Sequence, residues 1–115
     1  MINSVNKIND LLDSDEKILA SLKCSMHVFI YTKVARPGIL TLTNKRLLFY
    51  GFALAGEDLN ESFALKDISY IHQKKVLLKE YLVIRMKDNE VFNFSNITSD
   101  NVDKFIDAVN KEIKQ

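Results

Sequence analysis

One cysteine, one proline, three glycines and no tryptophan among 115 residues set the first limits on this chain. Cys24 has no second cysteine with which to form an intramolecular disulfide or a thiolate cluster, which fits a reducing compartment. The glycines Gly38, Gly51 and Gly56 are too few and too scattered for a phosphate-cradling loop, and no G-x-G-x-x-G, Walker, G-x-S-x-G or H-E-x-x-H signature occurs. His27 and His72 have no cysteine or carboxylate at ligand spacing, whereas a zinc site needs about four ligands. No metal and no cofactor is expected. Cys24 and His27 lie three apart on what reads as a strand, so their side chains leave opposite faces and cannot form a nucleophile and base. Cys24 reads as a small core residue. No catalytic constellation remains, and the expectation is a protein that is not an enzyme. There is no apolar run of about 18 residues and no basic segment leading into an apolar one at the start. These absences predict no membrane-spanning helix, no signal peptide and a cytoplasmic protein.

What is present is 47% hydrophobic and 27% charged, enough for a single core in a chain of this length. The segment Gly38 to Gly51, GILTLTNKRLLFYG, organises the rest. Its arms are rich in apolar, β-branched and aromatic residues. Its centre is polar, with Asn44 able to take the left-handed conformation of a tight turn, so it reads as a β-hairpin. The net charge of +1 hides an uneven distribution. No acid falls between Glu16 and Glu57, while Lys17, Lys23, Lys33, Arg36, Lys45 and Arg46 do, and Lys74, Lys75 and Lys79 form a second basic group. The molecule is expected to be electrically two-faced.

In chain order, Ile2, Val5, Ile8, Leu11 and Leu12 share one helical face, which predicts a short N-terminal helix. Asp13 to Glu16 ends it, and the chain divides into a helix with linker over 1–14 and a domain over 15–115. Lys17 to about Tyr31 alternates apolar and polar residues as a half-solvated strand does. Tyr31 to Gly38, which holds Pro37, reads as a loop, and so does Phe52 to Asn60. Strands follow at Glu61–Leu65 and Ile68–Gln73, then a turn over Lys74 to Glu80 and a hairpin of Tyr81–Met86 with Val91–Phe94. Val102, Phe105, Ile106, Val109 and Ile113 form the stripe of a terminal amphipathic helix, with Thr98 or Ser99 as N-cap and Asp100 and Asp103 at its start. The expected fold is mainly β with α: about seven short antiparallel strands in a bent sheet or partly open barrel, capped by the C-terminal helix.

Glu16-Lys17-Ile18-Leu19 at the first strand, the LTNKRLLFY hairpin, Phe63-Ala64-Leu65-Lys66-Asp67-Ile68 and the terminal helix together carry a resemblance. From about Asp15 to Lys114 the chain resembles bacterial pleckstrin-homology (PH) domains of the YokE-like kind, and it is similar, more loosely, to GRAM domains, which share that fold. The resemblance implies a seven-stranded bent barrel capped by a helix, without enzymatic activity. Eukaryotic members often bind phosphoinositide headgroups with basic residues near the loop after the first strand. Lys23, Lys33 and Arg36 are the nearest match here, but Lys33-Val34-Ala35-Arg36 lacks the alternation of basic residues found in strong phosphoinositide binders.

Two kinds of partner stay open. Lys33, Arg36, Lys45, Arg46, Lys74, Lys75 and Lys79 are candidates for an anionic ligand. Gathered at one end of a barrel they would hold it at an anionic lipid surface, on the inner face of the membrane, each contributing about 1 kcal/mol. Phe29, Tyr31, Phe52 and Leu54 are candidates for a protein-protein or homo-oligomeric interface, because the apolar runs around them do not alternate cleanly. Nucleic acid is disfavoured by the near-balanced charge.

Overall fold

A computed structural model describes residues 8–30, 32–54, 57–97 and 102–114, with the backbone alone described at 28–30, 32–35, 52–54 and 57–59. Seven strands form one antiparallel sheet: β1 Ile18–Ile30, β2 Thr32–Thr43, β3 Arg46–Leu54, β4 Glu57–Ala64, β5 Ile68–Val76, β6 Lys79–Met86 and β7 Val91–Ser95. A 3-10 turn, Leu65–Asp67, joins β4 to β5, and one helix, α1, runs from Val102 to Ile113. The order across the sheet is β4-β3-β2-β1-β7-β6-β5.

The sheet bends over on itself, which the aromatic contacts make plain. Phe49 of β3 and Phe63 of β4 meet Phe94 of β7 at ring separations of 5.6 and 6.4 Å, and Phe63 also meets Phe92 at 4.8 Å. These rings lie in a core with Leu22, Cys24 and Met26 from alternate positions of β1, Leu40 and Leu42 from β2, and Leu82 and Ile84 from β6. The amphipathic stripe of α1 closes one side: Val102, Phe105 and Val109 are buried in that core, with Ile106 and Ile113 at its margin, and the helix packs on β5 and β1. Burying a stripe of this kind is what makes a terminal helix of about three turns stable. The N-caps Thr98 and Ser99, and Asp100, lie outside the described residues.

A second, smaller cluster sits on the outer face of the same sheet. Ile8 packs on Leu48 and Tyr50, flanked by Leu12 and Ile39. Residues 8–11 are helical, so the last turn of the expected N-terminal helix is docked there; the rest of that expectation, residues 2–7, lies outside the described residues.

Three segments expected to be loops belong to strands. Residues 32–38 are the first half of β2, paired with β1 from Ile30↔Thr32 to Cys24↔Gly38. Pro37 is tolerated because the β2–β3 pairing stops at Gly38↔Gly51, so at residue 37 β2 pairs only with β1, and a strand with one open side can lack an N–H. Most of Phe52 to Asn60 is likewise strand, β3 continuing to Leu54 and β4 starting at Glu57. The turn expected over Lys74 to Glu80 shrinks to Leu77 and Leu78, with Val76 paired to Lys79 across the hairpin. At the β2–β3 turn, Asn44 is not among the residues with positive φ, so it does not supply a left-handed turn; its side chain works instead, accepting the Lys17 N–H.

Candidate functional site

The seven cationic candidates do not share one end of the barrel. Lys45 and Arg46 stand at the β2–β3 turn, where they are committed to acids. Arg46 donates through Nε to Glu16 Oε2 at 2.9 Å and through Nη2 to Glu16 Oε1 at 3.0 Å, and its Nη2 also reaches the Leu11 carbonyl at 2.7 Å. Thr43 Oγ1 donates to Glu16 Oε2 at 2.6 Å. Burial alone would push the Glu16 carboxyl up, but the hydrogen bonds from Arg46 and Thr43 outweigh it and hold the pKa at about 2. Lys45 Nζ lies 2.6 Å from Asp15 and 3.6 Å from Asp13, and its hydrogen bond to Asp15 lowers that carboxyl. Asn44 completes the knot by accepting the Lys17 N–H through Oδ1 at 2.8 Å. This cluster ties the start of β1 to the β2–β3 turn, and its charges are neutralised locally.

The other basic residues lie elsewhere. Arg36, half-buried on β2, faces Met26 across the ladder, about 23 Å along the strand direction from the level of Arg46. Lys33 is opposite Phe29 on the β1–β2 ribbon, and its side chain, with those of Phe29, Phe52 and Leu54, is outside the described residues, as is the whole of Tyr31. Lys74, Lys75 and Lys79 are brought together. All three are exposed and flank the β5–β6 turn. Among the described residues, no carboxylate makes an ion pair with any of them.

Two clefts open beside this hairpin. The larger, of about 570 Å³, is lined by Lys75, Leu78, Lys79, Glu80 and Tyr81 on the hairpin side and by His27, Ser95, Asn96 and Ile97 on the other. His27 Nε2 is 2.7 Å from Ser95 Oγ, and its ring meets Tyr81 edge-on at 5.8 Å. A shallower cleft of about 210 Å³ shares His27 and Tyr81 and adds Lys74, Val76 and Asn93. At the opposite end of β6, a cleft of about 530 Å³ is lined by Glu61, Asp67, Asp88 and Glu90 against a single Lys87. The two ends of β6 thus carry opposite charge. No described group of three or more His, Cys, Asp or Glu side chains could hold a metal ion. His72 lies beside Tyr70, with ring centres 5.2 Å apart. Cys24 is buried, and burial pushes its thiol up to about 12, which leaves it a packing residue.

Sequence reasoning missed the apolar tip between the lysines. Val76 is half-exposed, and Leu77 and Leu78 are almost wholly exposed in the two-residue turn. The signal was present in the sequence, since a turn flanked by lysines is expected to hold polar residues at its centre. His27, Tyr81 and Ser95 were not legible as neighbours, because they come from three strands far apart in sequence.

Residues 12–111 match the family model described as Bacterial PH domain. No curated protein matches the chain. Among solved structures, the C-terminal domain of an unknown protein from Leishmania infantum superposes with a TM-score of 0.76 at 20% identity, over 100% of both chains. The linker-DH/PH structure of p115-RhoGEF gives 0.68 at 9% identity, over 96% of this chain and 33% of that one. A DUF1696 family protein with a pleckstrin-homology domain from Shewanella loihica PV-4 gives 0.59 at 13% identity, over 91% of each. At these identities the likeness is one of fold.

Proposed function

This chain belongs to the bacterial PH domain family, whose fold serves in general as a non-catalytic binding module, and on that premise we propose that it docks on an anionic lipid surface through the β5–β6 end of its barrel. The observation that carries this reading is the contrast among the lysines. Lys45 is neutralised by Asp13 and Asp15, whereas Lys74, Lys75 and Lys79 stand exposed on one hairpin with no ion-paired acid among the described residues. Each such lysine adds about 1 kcal/mol at an anionic leaflet, so three give weak, salt-sensitive attachment. Such a surface is found on the cytoplasmic face of a membrane. No described helix is long and apolar enough to cross one, so attachment of this kind is peripheral.

The test is sedimentation with phosphatidylglycerol-containing vesicles against phosphatidylcholine vesicles, at low and at high salt. Binding only to the anionic vesicles, lost at high salt and lost on Lys74→Glu/Lys75→Glu/Lys79→Glu replacement, supports the reading. Binding unchanged by that triple replacement overturns it. A salt-resistant oligomer that ignores vesicles also overturns it, and moves the function to assembly with a protein partner or a second copy.

A further inference from the structure

We infer that Leu77 and Leu78 form a wedge that enters the boundary between headgroups and acyl chains of an anionic bilayer, while Lys74, Lys75 and Lys79 remain at the headgroup level. The inference rests on the lipid reading above and specifies how the contact is made.

Three independent observations meet at this turn. The first is exposure. Leu77 and Leu78 are 91% and 94% exposed, whereas the next most exposed large apolar residue among those described, Leu19, is at 47%. A single exposed leucine is ordinary; two adjacent ones, wholly in water at the apex of a hairpin, are not. The second is geometry. Val76 and Lys79 form the last pair of the β5–β6 ladder, so the two leucines project beyond it and cannot fold back into the core without breaking that pair.

The third is backbone strain. Leu77 has φ 58°, in the left-handed region where a branched side chain crowds its own backbone. The other two non-glycine residues with positive φ among those described are Asn89 at 76° and Asn96 at 53°, the residue type that tolerates this conformation. Among the described residues, asparagine thus stands at two of three such positions and a large apolar leucine at the third, although all three are exposed. A strained, solvent-exposed leucine gains nothing within the isolated fold. It gains on entering an apolar phase, and the flanking lysines choose which one: an interface bearing negative charge, which a strongly cationic rim would meet favourably.

The chain contains no tryptophan, so a Leu78→Trp variant carries a single indole, excited selectively over the tyrosines, at the apex. With phosphatidylglycerol vesicles its emission is expected to shift to the blue and to be quenched by bromines placed shallowly on the lipid acyl chains. A Leu77→Ser/Leu78→Ser variant is expected to bind these vesicles roughly tenfold or more weakly than the parent at equal salt. Both positions are exposed, so neither variant threatens the core. If the parent binds anionic vesicles while the introduced indole stays unshifted and the double serine variant binds equally well, insertion is overturned and lipid docking stands. If the parent binds no vesicle, the lipid reading falls and insertion with it. An emission shift that follows protein concentration without lipid overturns insertion in favour of a second copy of the chain.

Discussion

Glu16 and Arg46, thirty positions apart, face each other with Arg46 Nε 2.9 Å from Glu16 Oε2, and the carboxylate side chain is wholly out of solvent. The pair holds the start of β1 against the start of β3, and through the Leu11 carbonyl it also anchors the helical turn at 8–11. A buried carboxylate left without its partners would be costly; here two guanidinium N–H groups, the Thr43 hydroxyl and the Asp13 N–H all point at it.

The pair makes stability depend on acid in a definite window. Glu16 titrates at about 2 when folded, against an ordinary value of 4.5. Its folded pKa is depressed, so its contribution is complete above about pH 4.5 and is lost as pH falls towards 2, amounting to at most about 3 kcal/mol over the whole window before solvent screening reduces it. Glu16→Gln is therefore expected to be less stable than the parent at pH 7, with the gap closing between about pH 4.5 and 2. Urea unfolding of both proteins at pH 7, 4 and 2.5 measures it; a gap that does not change with pH would remove the carboxylate's charge from the explanation.

Gly38 faces Gly51 across the β2–β3 ladder, where there is no room for a side chain. A Cβ there would sit 2.7 Å from the Phe49 ring and 2.8 Å from Gly51 Cα, and would also collide with the Tyr50 carbonyl oxygen. Backbone atoms on a paired strand cannot give way as a flexible side chain can. Gly38→Ala is expected to cost more than about 2 kcal/mol, lowering the melting temperature by on the order of 10 °C. Thermal unfolding followed by circular dichroism checks this, and an unchanged midpoint would mean that the two strands separate easily at this point.

How much of this was legible in the sequence follows from where each signal lies. The hairpin around Asn44 and the α1 stripe are local patterns of period two and period 3.6, and both are found where the residues place them. The loops expected at 31–38 and 52–60 give way to strand at 32–38, 52–54 and 57–60, because Pro37 and the glycines are local turn signals, whereas strand there is imposed by antiparallel pairing along β1–β2 from Ile30↔Thr32 to Ser25↔Pro37 and along β3–β4 from Leu54↔Glu57 to Tyr50↔Asn60. The cationic candidates were legible as residues but not as a cluster. Only the pairing of Glu16 with Arg46 and of Asp15 with Lys45 separates the neutralised charges from the exposed ones, and nothing in the spacing announces those partners.

Cys24 gives a direct reading of core integrity. Its thiol is buried and pushed up to about 12, so at neutral pH almost no thiolate is present and no reagent can reach it in the folded state. Alkylation of the native protein by iodoacetamide is expected to be slow and to accelerate in urea along the unfolding transition. Rapid stoichiometric labelling of the native protein would show that β1 opens locally beside Gly38, its partner across the ladder.

The same turn that concentrates exposed leucine should show stability and binding moving in opposite directions. At φ 58° Leu77 carries backbone strain that asparagine largely escapes, and its side chain makes almost no contact that replacement would forfeit. Leu77→Asn is therefore expected to raise stability by up to about 1 kcal/mol, read as a higher urea midpoint with an unchanged slope. If the apex is a bilayer wedge, the same substitution removes half of its apolar surface and weakens attachment to anionic vesicles. A variant that is both more stable and equally well bound would mean that the strain serves neither the fold nor the membrane. A variant that is more stable and bound more weakly would identify the leucine as kept for the contact, at the expense of the isolated domain.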